Sequence, residues 1–81
     1  MTKTYAERTA DLRARIQADP IDDETVDRLC ALCDAVDAAA HTRGLGPRAK
    51  MLFFDAYYSW SNARRAAGLP PPEDAEEVWR L

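Results

Sequence analysis

The sequence is poor in the residues on which most enzyme sites depend. Its 81 residues include one histidine, His41, together with two cysteines and three glycines. A lone imidazole has no second histidine to share proton transfer with, so acid–base catalysis would need carboxylates. The carboxylates here have the spacing of exposed, helix-capping residues. The P-loop and the GxGxxG fingerprint are both missing. We therefore predict a protein that is not an enzyme and that uses no cofactor.

A long apolar run is missing as well. No segment approaches the roughly 18 consecutive apolar residues of a membrane span. Lys3 and Arg8 lie near the start, but the apolar core of a signal peptide does not follow them. We expect a cytoplasmic protein without a membrane partner, and the length favours one domain over residues 1–81.

The chain also lacks an excess of positive charge. It has 14 acidic against 11 basic residues, a net charge of −3, whereas general nucleic-acid binders usually carry a strongly basic footprint. We interpret the acidic block near the middle as the first turn and the solvated face of a helix. That block consists of Asp19, Asp22, Asp23, Glu24, Asp27, Asp34 and Asp37.

Helical spacing dominates the first half of the chain. A helix is predicted over about 4–18, and Asp19-Pro20 ends it because the residue before proline avoids the helical region. A second is predicted over about 23–42, with Asp22 or Asp23 as its cap. Each has an apolar side at steps of three and four residues. These sides are Tyr5, Thr9, Leu12 and Ile16 in the first, and Val26, Leu29, Cys33, Val36 and Ala40 in the second.

A third helix is predicted over about 47–67. Proline is favoured at the first helical position, as at Pro47, and Gly68 provides a typical stop, with Leu69 packing back on the last turn. A Pro-Pro-Pro spacer precedes a short terminal helix, 73–81, whose Ala75, Val78 and Trp79 would face inward. The fold class is therefore all-α, a small three-helix bundle with a short fourth helix.

The pair Cys30 and Cys33 is the one CxxC motif. Zinc usually needs four ligands, and redox pairs use the positive start of a helix, whereas this pair lies about two turns inside. Asp34, Asp37 and His41 follow Cys30 on the same side, but one straight helix cannot wrap them around an ion. We predict packing cysteines, a His41 that interacts with the helix dipole, and no metal site.

Five of the seven aromatic residues lie in the nine-residue stretch LFFDAYYSW, 52–60. On a helical wheel, Phe53, Tyr57 and Trp60 share one face with alanines, which is typical of a core. A second strip of side chains turns away from that face. It is formed by Met51, Phe54 and Tyr58, with Ser61 and Arg65 beside them.

The second strip is core if the tail around Trp79 covers it, and an interaction surface if a second copy or another protein does. Aromatic residues, Met and Arg are enriched at protein interfaces, so Met51, Phe54, Tyr58, Ser61 and Arg65 are the predicted partner-binding residues. A third possibility is stacking on nucleic-acid bases. The basic side chains near the rings would then contact phosphate: Lys50, Arg64 and Arg65.

The end of the third helix resembles a known DNA-contacting module. The segment 57–69 reads YYSWSNARRAAGL and is similar to FGSWNAALRAAGL, the signature of the helical repeat associated with homing endonucleases. The resemblance extends back to Pro47 and implies that Arg64 and Arg65 contact phosphate. The family's glycine is replaced by Tyr58. If Ser59 caps a new helix, the third helix splits into a helix-turn-helix-like pair; otherwise one helix continues.

Three functional hypotheses follow. The first is a small non-enzymatic protein-interaction module, such as a phage-type accessory or inhibitor protein that binds a larger host or defence protein, with a homodimer as one form. The second is a DNA-binding helical module of the helix-turn-helix kind. The third is a purely structural bundle.

Overall fold

The chain folds into three helices in the computed structural model, which describes residues 4–43 and 47–74, with backbone alone at 41–43. Helix α1 spans Tyr5–Ala18, α2 spans Asp23–Arg43 and α3 spans Pro47–Ala66. No strand occurs within those described ranges. The predicted all-α bundle is confirmed, and every helix boundary lies within one residue of its predicted position.

Local side-chain hydrogen bonds fix where α1 begins. The Thr4 hydroxyl accepts a hydrogen bond from the Glu7 backbone N–H at 3.2 Å, and the Glu7 carboxylate accepts one from the Thr4 N–H at 3.4 Å. This reciprocal pair is a capping box, which satisfies two donors that a helix start leaves open. At the other end Asp19 is extended, as expected before Pro20.

Asp22 is the cap of α2, one of the two residues that the sequence offered. Its carboxylate accepts hydrogen bonds from the Thr25 hydroxyl at 2.7 Å and from the Thr25 N–H at 3.0 Å. Because these bonds favour the charged form, they lower the pKa of Asp22. The bond that caps the helix therefore persists across the neutral pH range.

The core lies between the three helices, with α2 packed against both α1 and α3. The two predicted seams and the predicted aromatic face supply it, and Trp60 and Ile16 are its largest fully buried side chains. Their burial removes apolar surface from water, which is the main driving force for folding. The buried core residues are Leu12, Ile16, Leu29, Cys33, Val36, Phe53, Ala56, Tyr57 and Trp60.

Gly68 ends α3 in the predicted way. Its φ is +78°, the left-handed region that residues with a side chain avoid. The Gly68 N–H donates to the Arg65 carbonyl at 3.1 Å, and the Leu69 N–H donates to the Arg64 carbonyl at 2.9 Å. These two bonds form a Schellman ending, which turns the chain away from α3 toward the prolines.

Beyond this turn, residues 69–74 run back across the bundle without helical structure. Pro72 is buried, and Glu73 and Asp74 lie in a turn. The terminal helix was predicted over 73–81, but its first two residues, Glu73 and Asp74, form this turn. The rest of it, with Ala75, Val78 and Trp79, falls outside the described residues. The idea that this tail covers the aromatic strip therefore stays a prediction.

We expect Gly68→Ala to lower the free energy of unfolding by about 1 kcal/mol, because an alanine is strained at positive φ. An added Cβ would meet no atom within 4 Å, so the loss should come from the backbone alone. Urea unfolding measures it. Gly68→Asn is the matched control, since asparagine tolerates this region better, and an equal loss in both variants would contradict the backbone explanation.

Candidate functional site: an aromatic strip on the third helix

The aromatic strip consists of Met51, Phe54 and Tyr58 on α3. Met51 is 69% exposed, the highest value for a large apolar residue among the described positions, while Phe54 and Tyr58 are half-buried. The rings of Phe54 and Tyr58 stack with centroids 6.2 Å apart and planes at 23°. The strip therefore consists of one exposed residue, Met51, beside two stacked and half-buried rings.

The core supports this strip from below. The Phe54 ring meets the Phe53 ring edge-on at 6.2 Å, and Tyr58 meets Tyr57 in the same way at 6.2 Å. Phe53 and Tyr57 are 4% and 2% exposed. Aromatic pairs in this edge-on arrangement are favourable, so each outer ring is positioned by a buried one.

Positive charge flanks the aromatic strip. The Lys50 ammonium lies 5.9 Å from the centre of the Phe54 ring, within the range of a cation–π contact. Lys50 and Arg65 are exposed, and Ser61 is half-buried. Of the basic residues that the sequence placed beside the rings, these two face solvent and Arg64 does not.

Arg64 is engaged within the chain. Its side chain is 16% exposed; the guanidinium forms a salt bridge with the Asp19 carboxylate and donates through Nε to the Pro70 carbonyl at 3.0 Å. It also lies 5.4 Å from the centre of the Trp60 indole. The structure therefore weighs against Arg64 as a phosphate contact, because such a contact would have to displace these bonds.

Trp60 connects α3 to the end of α1. Its indole N–H donates to the Asp19 carboxylate at 2.7 Å, and the Arg15 guanidinium lies over the ring at 4.5 Å. We call Arg15, Asp19, Trp60 and Arg64 the tryptophan clasp. A buried indole N–H needs such an acceptor, and Asp19 supplies it while also pairing with Arg64.

Asp74 is held beside the clasp. Its carboxylate forms two bonds with the Arg15 guanidinium, at 2.7 and 3.1 Å, and accepts a third from the Tyr57 hydroxyl at 2.9 Å. The bonds to Arg15 are the main reason that the pKa of Asp74 is lowered. Burial, assisted by the hydrogen bond to Asp74, raises the pKa of Tyr57.

The expectation that the acidic side chains are exposed caps was wrong for several of them. Asp19 is 12% exposed at its side chain, and Asp37 and Asp74 are half-buried. Arg13 donates to Asp34 at 2.6 Å and to Asp37 at 3.2 Å. The one feature of the sequence that could have indicated these ion pairs is the set of basic residues on α1.

Helix α3 continues through Tyr58 and Ser59 without a break. Of the two possibilities that the sequence left open, the structure has the single helix. A helix-turn-helix-like pair is therefore not formed at this point. With no break at Ser59, Trp60 and Arg64 stay on one face and reach the clasp together.

The cysteines lie inside the bundle. Cys33 is fully buried and Cys30 is half-buried, and both are free thiols. Burial raises the pKa of Cys33 to about 11, so its thiol stays protonated and unreactive at neutral pH. Among the described side chains, which do not include that of His41, no group of three metal-ligating residues comes together.

No protein-family model, curated protein or solved structure matches this chain. The resemblance to the homing-endonuclease repeat therefore stays a prediction. No helix in the described part of the chain is both long enough and apolar enough to cross a membrane.

We expect iodoacetamide to modify Cys30 and spare Cys33 in the folded protein. The reason is the burial and raised pKa of Cys33. Mass spectrometry of Cys30→Ala and Cys33→Ala, each of which retains one thiol, measures the two rates separately. Cys33 should react once urea unfolds the chain, and rapid labelling of Cys33 before unfolding would contradict its protected position.

We expect Asp74→Asn to lower the free energy of unfolding by about 1 kcal/mol at neutral pH, because it weakens a partly exposed ion pair. The pKa of Asp74 is lowered by folding. Its stabilising contribution is therefore complete above the usual carboxyl pKa and is lost as pH falls through the lower, folded value. The difference in the free energy of unfolding between Asp74→Asn and the wild type should therefore shrink below about pH 4.

Urea unfolding at neutral and acidic pH measures this change. The matched control is Glu73→Gln, which removes the same charge from the neighbouring, exposed residue. If Glu73→Gln lowers the free energy of unfolding as much as Asp74→Asn does, the loss comes from the change in net charge and not from the ion pair with Arg15.

Proposed function

We propose that this protein is a non-enzymatic interaction module that binds a larger protein through the aromatic strip. The observation that carries the proposal is the exposure of Met51, at 69%, beside a stacked pair of aromatic rings. Met and aromatic side chains are enriched at interfaces, and Tyr is among the residues enriched at binding hot spots.

The surface around Met51 fits a partner that has an apolar pocket with carboxylates around it. Met51 is flexible and polarisable, which suits insertion into such a pocket, and Phe54 and Tyr58 supply rigid surface next to it. Lys50 and Arg65 are exposed on either side of these rings. Complementary charge would steer the encounter and set its orientation.

DNA binding is the alternative function. It draws support from the sequence resemblance and from the exposed Lys50 and Arg65, but it would have to proceed without a free Arg64 guanidinium. Duplex binding draws most of its affinity from phosphate contacts with several cations. The protein surface described above therefore favours a protein partner.

A small accessory or inhibitor protein of phage type, located in the cytoplasm, fits this proposal. The aromatic strip can cover a single site on a larger protein. This assignment rests on surface chemistry, and the identity of the partner would test it.

We expect a photo-crosslinking amino acid at position 51 to capture the partner in the native host. Met51 is the accessible residue of the strip, so an adduct with another protein should form there. Position 31 is the matched control, because Ala31 is an exposed helical residue on α2. Equal adducts at positions 31 and 51, or none at 51, would contradict the proposal.

The purified partner allows a quantitative test. Met51→Glu should weaken binding by about tenfold or more, since a charge placed in an apolar contact costs at least 1.4 kcal/mol. The folding of this variant should be unchanged because Met51 is exposed, and Ala31→Glu is its control. Electrophoresis with duplex DNA at low salt, with and without Arg65→Ala, tests the alternative, and light scattering reveals a second copy as partner.

A further inference from the structure

A groove runs along the tryptophan clasp, between the end of α1 and the end of α3. Arg15, Ala18, Asp19, Trp60 and Arg64 line it, together with residues of the segment that crosses it. We call that segment, residues 69–74, the strap; it reads LPPPED. The groove is distinct from the aromatic strip and plays no part in the function proposed above.

The strap is held at two points. At its start the Pro70 carbonyl accepts a hydrogen bond from Arg64 Nε at 3.0 Å. At its end the Asp74 carboxylate pairs with both terminal nitrogens of Arg15 and accepts the Tyr57 hydroxyl. A two-bond Arg–carboxylate contact is specific in geometry as well as in charge.

Three consecutive prolines join these two points. Such a run is extended and loses little conformational freedom when it binds, which is why proline-rich peptides are common ligands of aromatic-lined grooves. Trp60 is the aromatic residue that lines the groove together with the prolines, and Pro72 is buried. The strap therefore binds the groove in the manner of a short proline-rich ligand with an acidic end.

An open cavity of about 380 Å³ lies along the strap, and Trp60, Arg64 and the prolines are among the residues that line it. The Arg15 side chain is 40% exposed and that of Asp74 is 36% exposed. Since this pair is partly solvated, it contributes little to stability, and the end of the strap that it holds can be displaced.

From this geometry we propose that the groove is a binding site for an acidic, proline-rich peptide segment of another protein, and that the strap is its internal competitor. The external peptide makes the same contacts: its carboxylate pairs with Arg15 and Tyr57, a main-chain carbonyl accepts from Arg64, and its apolar residues enter the cavity. Release of the strap at the Gly68 turn opens the site.

This competition has a measurable consequence. A site that is open only part of the time shows an apparent Kd that is raised by the inverse of the open fraction. If the strap occupies the groove nine-tenths of the time, removing it should tighten peptide binding on the order of tenfold. The strap therefore sets the affinity without touching the partner.

The experiment uses the full chain and a fluorescent, C-terminally amidated peptide of the strap's own sequence, LPPPED. Asp74→Arg places a cation against Arg15 and releases the strap while leaving the groove intact. Fluorescence anisotropy should show at least tenfold tighter binding to Asp74→Arg than to wild type. A peptide with asparagine in place of its aspartate should lose this binding.

Two matched variants complete the test. Arg15→Asp also releases the strap but removes the cation that receives the peptide, so it should not bind LPPPED. Glu73→Arg makes the same charge change as Asp74→Arg at the neighbouring residue, and it should bind no better than wild type. Circular dichroism checks that each variant retains its helices, and Asp74→Asn replaces Asp74→Arg if the latter does not fold.

Three outcomes would overturn the proposal. One is the absence of peptide binding to a folded variant with a released strap. Another is equal binding to Asp74→Arg, Arg15→Asp and Glu73→Arg, which would indicate general electrostatic attraction. The third is dimer formation on mixing Asp74→Arg with Arg15→Asp without any binding of peptide, which would assign the groove to the strap of a second copy.

Discussion

The hydrogen bond from the Trp60 indole to the Asp19 carboxylate is the contact on which the arrangement of the helices depends. Trp60 is 1% exposed, so its N–H would be costly to bury without an acceptor. Asp19 follows the last turn of α1, so its carboxylate can accept the Trp60 N–H only if α1 and α3 lie side by side. The same carboxylate pairs with Arg64, and Arg64 in turn holds Pro70. One carboxylate thus ties α1, α3 and the strap together.

Because Arg64 is paired with Asp19, the two ends of α3 present different surfaces. Toward its end the arginine that could have faced a ligand is turned inward, and the strap crosses the groove. Farther back along the helix Met51 is exposed beside the half-buried Phe54 and Tyr58, and the cations Lys50 and Arg65 are exposed as well. The proposed interaction surface is therefore a short aromatic strip with charges at its edge, and the groove beside Trp60 is a separate surface that the strap occupies.

The helices, their caps and the core face were predictable because they depend on residues close in sequence. Proline after Asp19, glycine at position 68 and apolar side chains at steps of three and four act locally, whatever the rest of the chain does. The inward position of Tyr57 also followed from the helical wheel, whereas the wheel left open whether Met51 is covered or exposed. The strap was not predicted in its position, because nothing local in LPPPED specifies which helix it crosses.

The sequence by itself determined that this chain forms three helices of these lengths and which side of each is apolar. Only the tertiary structure decided the partners of the charged residues, because those partners are distant in the chain: Asp19 and Arg64 are 45 positions apart, and Arg15 and Asp74 are 59 apart. Charged side chains carry no periodic signal that reveals such pairs. Hydrophobic periodicity specifies a face, whereas an ion pair exists only once packing has brought two particular side chains within reach.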